Sequence, residues 1–261
     1  MTGLSSPAAW DPEVYLKFSE ARTRPAVDLI SRITQRTPTR IVDLGCGTGN
    51  ITQLLADRWP RSRITGVDSS AEMLSQAQTK NGSIQWVRQD IAAWRPEQPV
   101  DLIVSNAALH WLDAHDTLFP RLMGCLNDGG ELGVQMPRNF HAPSHQIITE
   151  IATNERWRDR LLGLVRPSPI SDPRFYLDTL SACSSSLDLW ETTYWHILQG
   201  ENPIVGWTMG TALRPIMEAL EEDEGRDLLS AYAKRIADAY PPAANGKTVF
   251  PFRRLFMIAR K

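Results

Sequence analysis

The fold of this chain is decided by the stretch Ile41-Val42-Asp43-Leu44-Gly45-Cys46-Gly47-Thr48-Gly49-Asn50. Its apolar, β-branched beginning suits a buried strand, and the alternating glycines permit a tight turn and a close approach of a ligand to the backbone. Apolar residues then recur at helical spacing at Ile51, Leu54 and Leu55, so the stretch predicts a strand, a glycine loop and a helix. The free backbone N–H groups of such a loop, together with the helix N-terminus, predict a site for a nucleotide-type cofactor.

The glycine spacing separates two kinds of cofactor. A dinucleotide fingerprint has the order G-x-G-x-x-G, whereas this chain has Gly45-x-Gly47-x-Gly49. Asp43 lies two residues before the first glycine, where a carboxylate would repel a pyrophosphate but suits a positively charged ligand. The loop resembles the E/D-x-G-x-G-x-G loop of class I S-adenosylmethionine-dependent methyltransferases, whose ligand carries an ammonium and a sulfonium. A dehydrogenase and a loop that serves only as a turn are the alternatives.

Three further strands are predicted after the loop, and each ends at a polar residue. They are Ile64–Asp68, a run over 84–91 that contains Asp90, and Asp101–Asn106. An acid at the end of the second strand can accept both ribose hydroxyls, a feature that dehydrogenases share. The methyltransferase resemblance implies that Asp90 and the Ile91 N–H bind the adenine. The predicted cofactor-binding residues are Asp43, Gly45, Gly47, Gly49, Asp68, Ser69, Met73, Asp90, Ile91 and Asn106, with S-adenosylmethionine as cofactor and S-adenosylhomocysteine as its product.

Length and composition indicate one enzyme-sized unit. A chain of 261 residues can bury a sizeable α/β core, and a net charge of −2 lacks the basic footprint of a nucleic-acid binder. No apolar run reaches about 18 residues and no signal-peptide pattern opens the chain, so we expect no membrane span. The three cysteines are odd in number, which favours reduced thiols and a cytoplasmic location. The oligomeric state stays open.

Alternating strands and helices over 38–137 predict a mostly parallel sheet with helices on both faces and ligands at the carboxyl ends of its strands. We expect a Rossmann-like α/β fold with seven strands and a mainly helical cap. All of 1–261 is predicted to be a single methyltransferase domain. Its core covers about 38–137, 187–200 and 247–261, its helical leader 1–37, and its cap insertions about 138–186 and 201–246.

The second half of the chain contains two predicted strands and two predicted helices. A fifth strand is predicted over 129–136, after a glycine turn. The two later strands cover 187–197 and 249–258, and the resemblance implies that the second of them lies antiparallel beside the fifth strand. The helices cover 204–220 and 226–240, and the second has an apolar stripe that stops at Pro241.

Several kinds of site are excluded or disfavoured. The fourth strand lacks the [DNS]-P-P-[YFW] motif of amine methylases, and no Pro-Cys pair for cytosine C5 methylation occurs. His141 and His145 have the spacing of two ligands on one helical face, but Pro143 lies between them and the acidic base of H-E-x-x-H is absent. We therefore expect no metal site and a small-molecule acceptor.

The N-terminal segment mixes aromatic residues with arginines in the pattern Trp10-x-x-x-x-Tyr15-x-x-Phe18-x-x-x-Arg22-x-Arg24-Pro25. Tyr15, Phe18 and Arg22 share one helical face, and further arginines occur in Gly210–Pro215 and at Arg253-Arg254. On an alternating strand only one of the last two can face inward. Together with Asn106–Trp111, Gln135-Met136-Pro137 and Ala239–Pro242, these segments resemble the trans-aconitate 2-methyltransferase family over nearly the full length.

This resemblance implies methyl transfer to one carboxylate of trans-aconitate. A carboxylic acid is already ionised at pH 7, so no general base is expected, and no catalytic residue is certain. Our hypothesis for the substrate-binding residues is Tyr15, Arg22, Arg24 and Arg214, with His110 and Trp111 either positioning the substrate or only packing. The alternatives are methylation of another small carboxylic acid or acyl thioester, and a cofactor-binding regulator without turnover.

Overall fold

The structure, a computed structural model, describes residues 19–79, 82–165, 168 and 170–261. The described helices are α1 (Ser19–Arg32), α2 (Asn50–Arg58), α3 (Ala71–Gln78), α4 (His115–Gly124), α5 (Pro143–Ala152), α6 (Arg158–Leu161), α7 (Pro173–Ser181), α8 (Pro203–Met209), α9 (Arg214–Glu218) and α10 (Glu222–Ala239). The strands are β1 (Arg40–Leu44), β2 (Arg63–Asp68), β3 (Gln85–Arg88), β4 (Val100–Asn106), β5 (Leu126–Pro137), β6 (Ser186–Leu198) and β7 (Thr248–Arg260).

The strands form one seven-stranded sheet in the order β3-β2-β1-β4-β5-β7-β6. The neighbours among β1 to β5 pair in parallel, and β7 pairs antiparallel with β5, where Val134 lies opposite Met257. The predicted fold class and the predicted antiparallel neighbour of the fifth strand are confirmed. The chain reverses its direction of travel across the sheet between β1 and β4, and open α/β sheets bind ligands beside such a point.

By its internal contacts the chain divides into two compact units. Among the described residues, the sheet unit is Arg22–Pro137, Pro169–Thr192 and Arg253–Lys261, and the helical unit is 19–21, Arg138–Ser168 and Thr193–Phe252. Residues Pro169–Thr192, which include α7, therefore group with the sheet unit, although the sequence places most of them in the first cap insertion. The assignment of the whole chain to a single domain stays a prediction.

The sheet unit has its core along β4, whose Leu102, Ile103 and Val104 are fully buried. A strand with such a continuous apolar run belongs in the middle of a parallel sheet that is covered on both faces. On the other side of β5, Trp190 of β6 stacks on Phe256 of β7 with ring centroids 4.9 Å apart.

The helical unit has an apolar core of its own. In α10, Leu228, Tyr232 and Ile236 are buried at steps of four, which gives the helix its inward stripe. The core consists of Ile147, Ile148, Ile151, Ala152, Trp157, Leu161, Leu198, Ile204, Trp207, Leu213, Ile216, Leu228, Tyr232, Ile236, Phe250 and Phe252. Within the described ranges, no helix is both long enough and apolar enough to cross a membrane.

The predicted helix over 204–220 is wrong as a single element. The structure has α8 and α9 instead, with a turn between them. Gly210 follows the last residue of α8, and Pro215 lies in the first turn of α9, where the absent N–H of proline costs nothing. The predicted helix over 226–240 begins earlier, at Glu222, because Glu221 and Glu224 form a reciprocal capping box.

Candidate functional site

The glycine loop between β1 and α2 has a backbone that only glycine adopts easily. Gly45, Gly47 and Gly49 have φ angles of 77°, 53° and 78°. A side chain at Gly45 would also meet the Cβ of Ala108 at 2.1 Å, so the segment that follows β4 lies directly against the loop. The backbone N–H groups of Gly45 and Cys46 both donate to the Val67 carbonyl, at 2.8 and 3.0 Å. The loop is therefore held from both neighbouring strands.

Asp43 places a buried carboxyl group beneath this loop. The residue is 1% exposed, and the Thr52 hydroxyl donates to its Oδ2 at 2.6 Å. Burial raises the pKa of Asp43 to about 7; the hydrogen bond from Thr52 opposes this rise, and the nearby Asp68 adds to it. In the described part of the chain no cationic side chain pairs with this carboxyl group. A buried carboxyl group with this pKa would be stabilised in its charged form by a cationic ligand.

Asp68, at the end of β2, organises the backbone on both sides of the site. Its Oδ2 accepts from the Gly47 N–H at 2.8 Å, and its Oδ1 accepts from the Ser70 N–H at 2.9 Å. The hydroxyl of Ser70 in turn accepts from the N–H of Met73 at 3.2 Å and caps α3. Ser69, the residue between the two, is exposed. One carboxylate thus fixes the glycine loop relative to the first turn of α3.

The turn that follows β3 contains Asp90 and Ile91. Asp90 is exposed, and its Oδ1 accepts from the Ala92 N–H at 2.9 Å, which closes the turn locally. The Arg121 guanidinium of α4 donates to the carbonyls of Ile91 and Trp94 at 2.9 and 2.6 Å. Sequence reasoning missed Arg121, since its only signal would be a cation at the far end of a helix 30 residues downstream. It holds the turn that carries two of the predicted cofactor residues.

The segment after β4 carries Asn106, His110 and Trp111. A short 3-10 turn covers Leu109–Trp111 and orients two neighbouring rings differently, since His110 is buried and Trp111 is 58% exposed. The turn is anchored by the buried His115, whose Nε2 lies 2.9 Å from the Leu109 carbonyl. Trp111 therefore has a face that a ligand could contact, whereas His110 is enclosed.

The predicted substrate-binding residues are described only in part. Tyr15 lies outside the described residues, and of Arg22 only the backbone is described. Arg24 is exposed on α1 and belongs to the sheet unit, whereas Arg214 opens α9 in the helical unit. Nε of Arg214 donates to Oε1 of Glu218 at 2.8 Å, so its guanidinium already has one carboxylate partner.

Two other sequence features have clear outcomes. On β7, Arg254 is buried and Arg253 is exposed, as strand alternation requires. His141 is exposed, and burial lowers the pKa of His145 to about 4, which keeps this ring neutral. Among the residues with described positions, no three His, Cys, Asp or Glu side chains gather as metal ligands do.

Comparisons with known proteins bear on this site. The family described as "Methyltransferase domain" matches residues 41–130, which run from β1 through the glycine loop to β5. A trans-aconitate 2-methyltransferase of Azoarcus sp. is 46% identical over 250 residues, covering 96% of this chain and 98% of that protein. A homologue with the same name from Streptomyces avermitilis is 43% identical over 262 residues, covering 97% of each chain. The crystal structure of the Bacillus subtilis YcgJ protein shares the fold, with a TM-score of 0.58 at 16% identity over 91% of this chain and 98% of that chain.

The fold and the site together define an S-adenosylmethionine-dependent methyltransferase, which confirms the predicted enzyme class and cofactor. Its residues fit this cofactor, because a Cβ added at Gly47 would meet no atom within 4 Å, so there is open space over the loop, and because Asp43 offers a buried carboxylate to a cation. Within that class, the chain belongs to the trans-aconitate 2-methyltransferase family.

Proposed function

We propose that this protein transfers the methyl group of S-adenosylmethionine to one carboxylate of trans-aconitate, giving a monomethyl ester and S-adenosylhomocysteine. The observation that carries the proposal is the identity of 46% to a trans-aconitate 2-methyltransferase, extending over 96% of this chain and 98% of that protein. The similarity is not confined to the cofactor loop that methyltransferases share. It also covers the chain outside residues 41–130, the range that the methyltransferase domain family matches.

The cofactor would be held by the strand ends of the sheet unit. When bound, it supplies a methyl group on a sulfonium centre. Asp43 would balance its positive charge, Asp68 and the neighbouring Ser69 would bind the ribose, and Asp90 with the Ile91 N–H would bind the adenine, beside Met73. The N–H groups of Gly45, Gly47 and Gly49 all donate within the protein, so the loop would receive the ligand through the open space over Gly47, and Asn106 would close the site at the end of β4. The spacing of β1 to β4 supports this proposal, since all four strands are parallel with their carboxyl ends at one edge of the sheet.

The proposed reaction does not depend on a general acid or a general base. A carboxylate with a pKa of about 4 is ionised at pH 7, so its oxygen attacks the methyl carbon without giving up a proton. The enzyme has to hold that oxygen in line with the bond that breaks, and such positioning can lower the barrier by roughly 7–11 kcal/mol. It also has to neutralise a triply charged acceptor, and arginine suits this task because its fork matches a carboxylate.

For the acceptor, our candidates from the sequence are Tyr15, Arg22, Arg24 and Arg214. Their pattern matches a polyanion better than an uncharged acyl chain. His110 and Trp111 follow the strand end at Asn106, and the exposed ring of Trp111 makes it the better candidate for substrate contact. These assignments stay predictions.

We also propose a cytoplasmic location and a small-molecule partner, without nucleic acid or membrane. The support is the net charge of −2 and the three free cysteines, Cys46, Cys125 and Cys183. In the cytoplasm a reducing environment keeps such thiols unpaired.

The experiment incubates the protein with methyl-labelled S-adenosylmethionine and, separately, trans-aconitate, other small carboxylic acids and acyl thioesters. We expect a labelled, base-labile ester of trans-aconitate, formed with a higher kcat/KM than any other product. Preferred turnover of a different acid or thioester would replace the acceptor. Cofactor binding without methyl transfer to any of these compounds would favour a regulator over an enzyme.

Arg24 and Arg214 are tested in the same assay. Replacing either one with methionine should raise the KM for trans-aconitate by about 10- to 100-fold, the range expected for a charge-assisted hydrogen bond. The dissociation constant of S-adenosylhomocysteine should stay near its native value. Arg174→Met is the control, because Arg174 is an exposed arginine on α7 that pairs with Asp178 in the same helix. Native-like KM values in both test variants would remove these two residues from the acceptor site.

A further inference from the structure

A row of polar side chains lies across three neighbouring strands of the sheet unit. Asn106 ends β4 and is the Cα partner of Gln135 on β5. Nη1 of Arg254, on β7, donates to Oε1 of Gln135 at 3.3 Å. Gln135 is fully buried, and Arg254 is only 5% exposed. A cationic group and two amides are thus placed side by side within the protein.

The orientation of the Gln135 amide follows from its neighbour. A guanidinium has donors and no acceptor, so the amide must present its oxygen to Arg254 and its NH₂ group away from it. Nε2 of Gln135 is buried and has no hydrogen-bond partner in the described structure. Leaving such a donor unsatisfied is unfavourable, so it indicates a missing acceptor.

Asn106, one strand away, also has a buried side-chain atom without a hydrogen-bond partner in the described structure, in this case an acceptor, Oδ1. Rotation of this amide by 180° would present its NH₂ group at the same place, since the two orientations have almost the same shape. Two neighbouring amides can therefore both donate to one acceptor.

This row lies next to the cofactor loop. The residue after Asn106, Ala107, donates its N–H to the Gln135 carbonyl at 2.9 Å. The following residue, Ala108, lies against Gly45. Only two residues of chain therefore separate the row from the glycine loop. Position and chemistry together suit a carboxylate. Both the acceptor and the cofactor carry one, so the binding of S-adenosylhomocysteine to the variants distinguishes the two sources.

We propose that Arg254 and Gln135 bind a carboxylate of the acceptor that does not react, Arg254 through its guanidinium and Gln135 through Nε2–H. This inference rests on the function proposed above. A carboxylate satisfies the buried donor of Gln135, and the neighbouring guanidinium of Arg254 can donate to the same carboxylate. Gln135 also positions Arg254 through its Oε1, and so acts on the anion both directly and through its neighbour.

The test compares three variants of the full chain. Gln135→Glu keeps the shape of the side chain and can pair with Arg254, so the protein should fold, but the added charge should repel the acceptor. We expect its KM for trans-aconitate to rise by about 100-fold and that of Arg254→Met by about 30-fold, within the range for lost charge-assisted hydrogen bonds. Arg254→Lys keeps the charge without the fork and should lie between native and Arg254→Met. S-adenosylhomocysteine should bind all three nearly as tightly as the native protein.

Arg253→Met is the matched control, since it removes the same charge from the exposed face of the same strand and should leave the KM unchanged. A second measurement varies the acceptor, using the three dicarboxylic acids that each lack one carboxylate of trans-aconitate. With the acid that lacks the anchored carboxylate, native protein and Arg254→Met should have nearly equal kcat/KM values, because neither protein can then form the contact between Arg254 and that carboxylate.

The outcomes separate the two proposals. If the native protein does not methylate trans-aconitate, the proposed function fails and this inference fails with it. If the native protein methylates it and folded Arg254→Met and Gln135→Glu retain the native KM, the inference alone is overturned. The inference would also be overturned if the Arg254→Met substitution lowered kcat/KM by the same factor for all three dicarboxylic acids, because no single carboxylate would then be anchored at Arg254.

Discussion

The glycine-loop edge of the sheet unit and the apolar core of the helical unit are built on different principles. At the glycine loop, backbone angles and single hydrogen bonds fix the structure, as the contact between Gly47 and Asp68 shows. In the helical unit, large side chains such as Trp207 and Tyr232 fill a core, and ion pairs such as Arg235 with Glu150 lie outside it. A small substitution at the glycine loop should therefore affect cofactor binding. A small substitution in the apolar core of the helical unit should affect only the stability of the protein.

The largest expected effect is that of Gly45→Ala. The new methyl group would lie 2.1 Å from Ala108 Cβ at a residue with a φ of 77°, so the loop must move. We expect a loss of about 3 kcal/mol or more in the free energy of unfolding, from overpacking and left-handed strain together. The affinity for S-adenosylmethionine should fall beyond detection. Denaturant unfolding and calorimetric titration measure the two effects.

Gly47→Ala is the matched control for this substitution. It has a φ of 53°, but no atom lies within 4 Å of the added methyl group. Only the conformational strain of about 1 kcal/mol should then appear in the free energy of unfolding. Equal destabilisation by the two alanines would show that the contact with Ala108 does not determine the loop.

Asp43→Asn should separate binding from stability. The amide oxygen can still accept from Thr52, but the carboxylate is lost, and we expect cofactor affinity at pH 8 to fall by about 30-fold, as for a lost hydrogen bond to a charged group. In the native protein affinity should rise with pH up to about 7, where Asp43 ionises, and the variant should lack this rise. Calorimetric titrations of both proteins between pH 5.5 and 8.5 check it. A native protein without this pH dependence would contradict the prediction.

The stability effect of Asp43→Asn has the opposite sign. The folded pKa of about 7 is above the ordinary value of 3.8, so the folded state holds a proton that the unfolded state has released between these pH values. The titration of Asp43 therefore leaves the free energy of unfolding of the native protein unchanged below about pH 4 and lowers it as the pH rises towards 7. At 1.36 kcal/mol for each unit of pKa, the variant should gain at most about 4 kcal/mol over the native protein at pH 8. Thermal unfolding at pH 4 and pH 8 measures this difference, and an equal difference at both values would refute it.

The same contrast explains what the sequence could predict. The strands β1 to β4 were predictable because each apolar run ends at a polar residue, and the glycine spacing itself carries the conformation of the loop. The division of 204–220 into α8 and α9 was not predicted, because it depends on two single residues, Gly210 after the end of α8 and Pro215 in the first turn of α9, within a segment that is apolar on both sides.

Contacts between residues that are far apart in the sequence could not be predicted, because no pattern within a short segment indicates them. Arg121 reaches back to the carbonyl of Ile91, and Arg254 reaches Gln135 across 119 residues of sequence. Sequence alternation established that one of Arg253 and Arg254 faces inward, but only the structure shows which one and what it contacts. The cofactor edge is therefore more predictable than the groups expected to bind the acceptor, because the former depends on short segments and the latter on pairs of distant strands.

Arg121→Met should give a smaller loss of cofactor affinity than either change at the loop. Its guanidinium is half-buried and supports the turn after β3 through two carbonyls, without a predicted contact to the cofactor. We expect S-adenosylhomocysteine to bind about 5-fold more weakly, and the free energy of unfolding to fall by about 1–2 kcal/mol. Arg95→Met is the control, because among the described residues Arg95 donates to one carbonyl, that of Trp94, and its loss should have about half the effect on stability. A native-like affinity in Arg121→Met would mean that the turn is fixed without it.

Tyr232→Phe should have the smallest effect and acts on the helical unit. The buried Tyr232 hydroxyl donates to the Ser144 carbonyl at 3.0 Å and links α10 to α5. Its removal should lower the free energy of unfolding by about 1 kcal/mol, the typical value of one hydrogen bond. Tyr240→Phe is the matched comparison, since the Tyr240 oxygen accepts from the Ser144 N–H at the longer distance of 3.3 Å. Both variants should bind S-adenosylmethionine with native affinity, because every predicted cofactor residue belongs to the sheet unit. A change in that affinity larger than about 3-fold, or about 0.6 kcal/mol, would show that the two units are energetically coupled and that the contrast between them does not extend to binding.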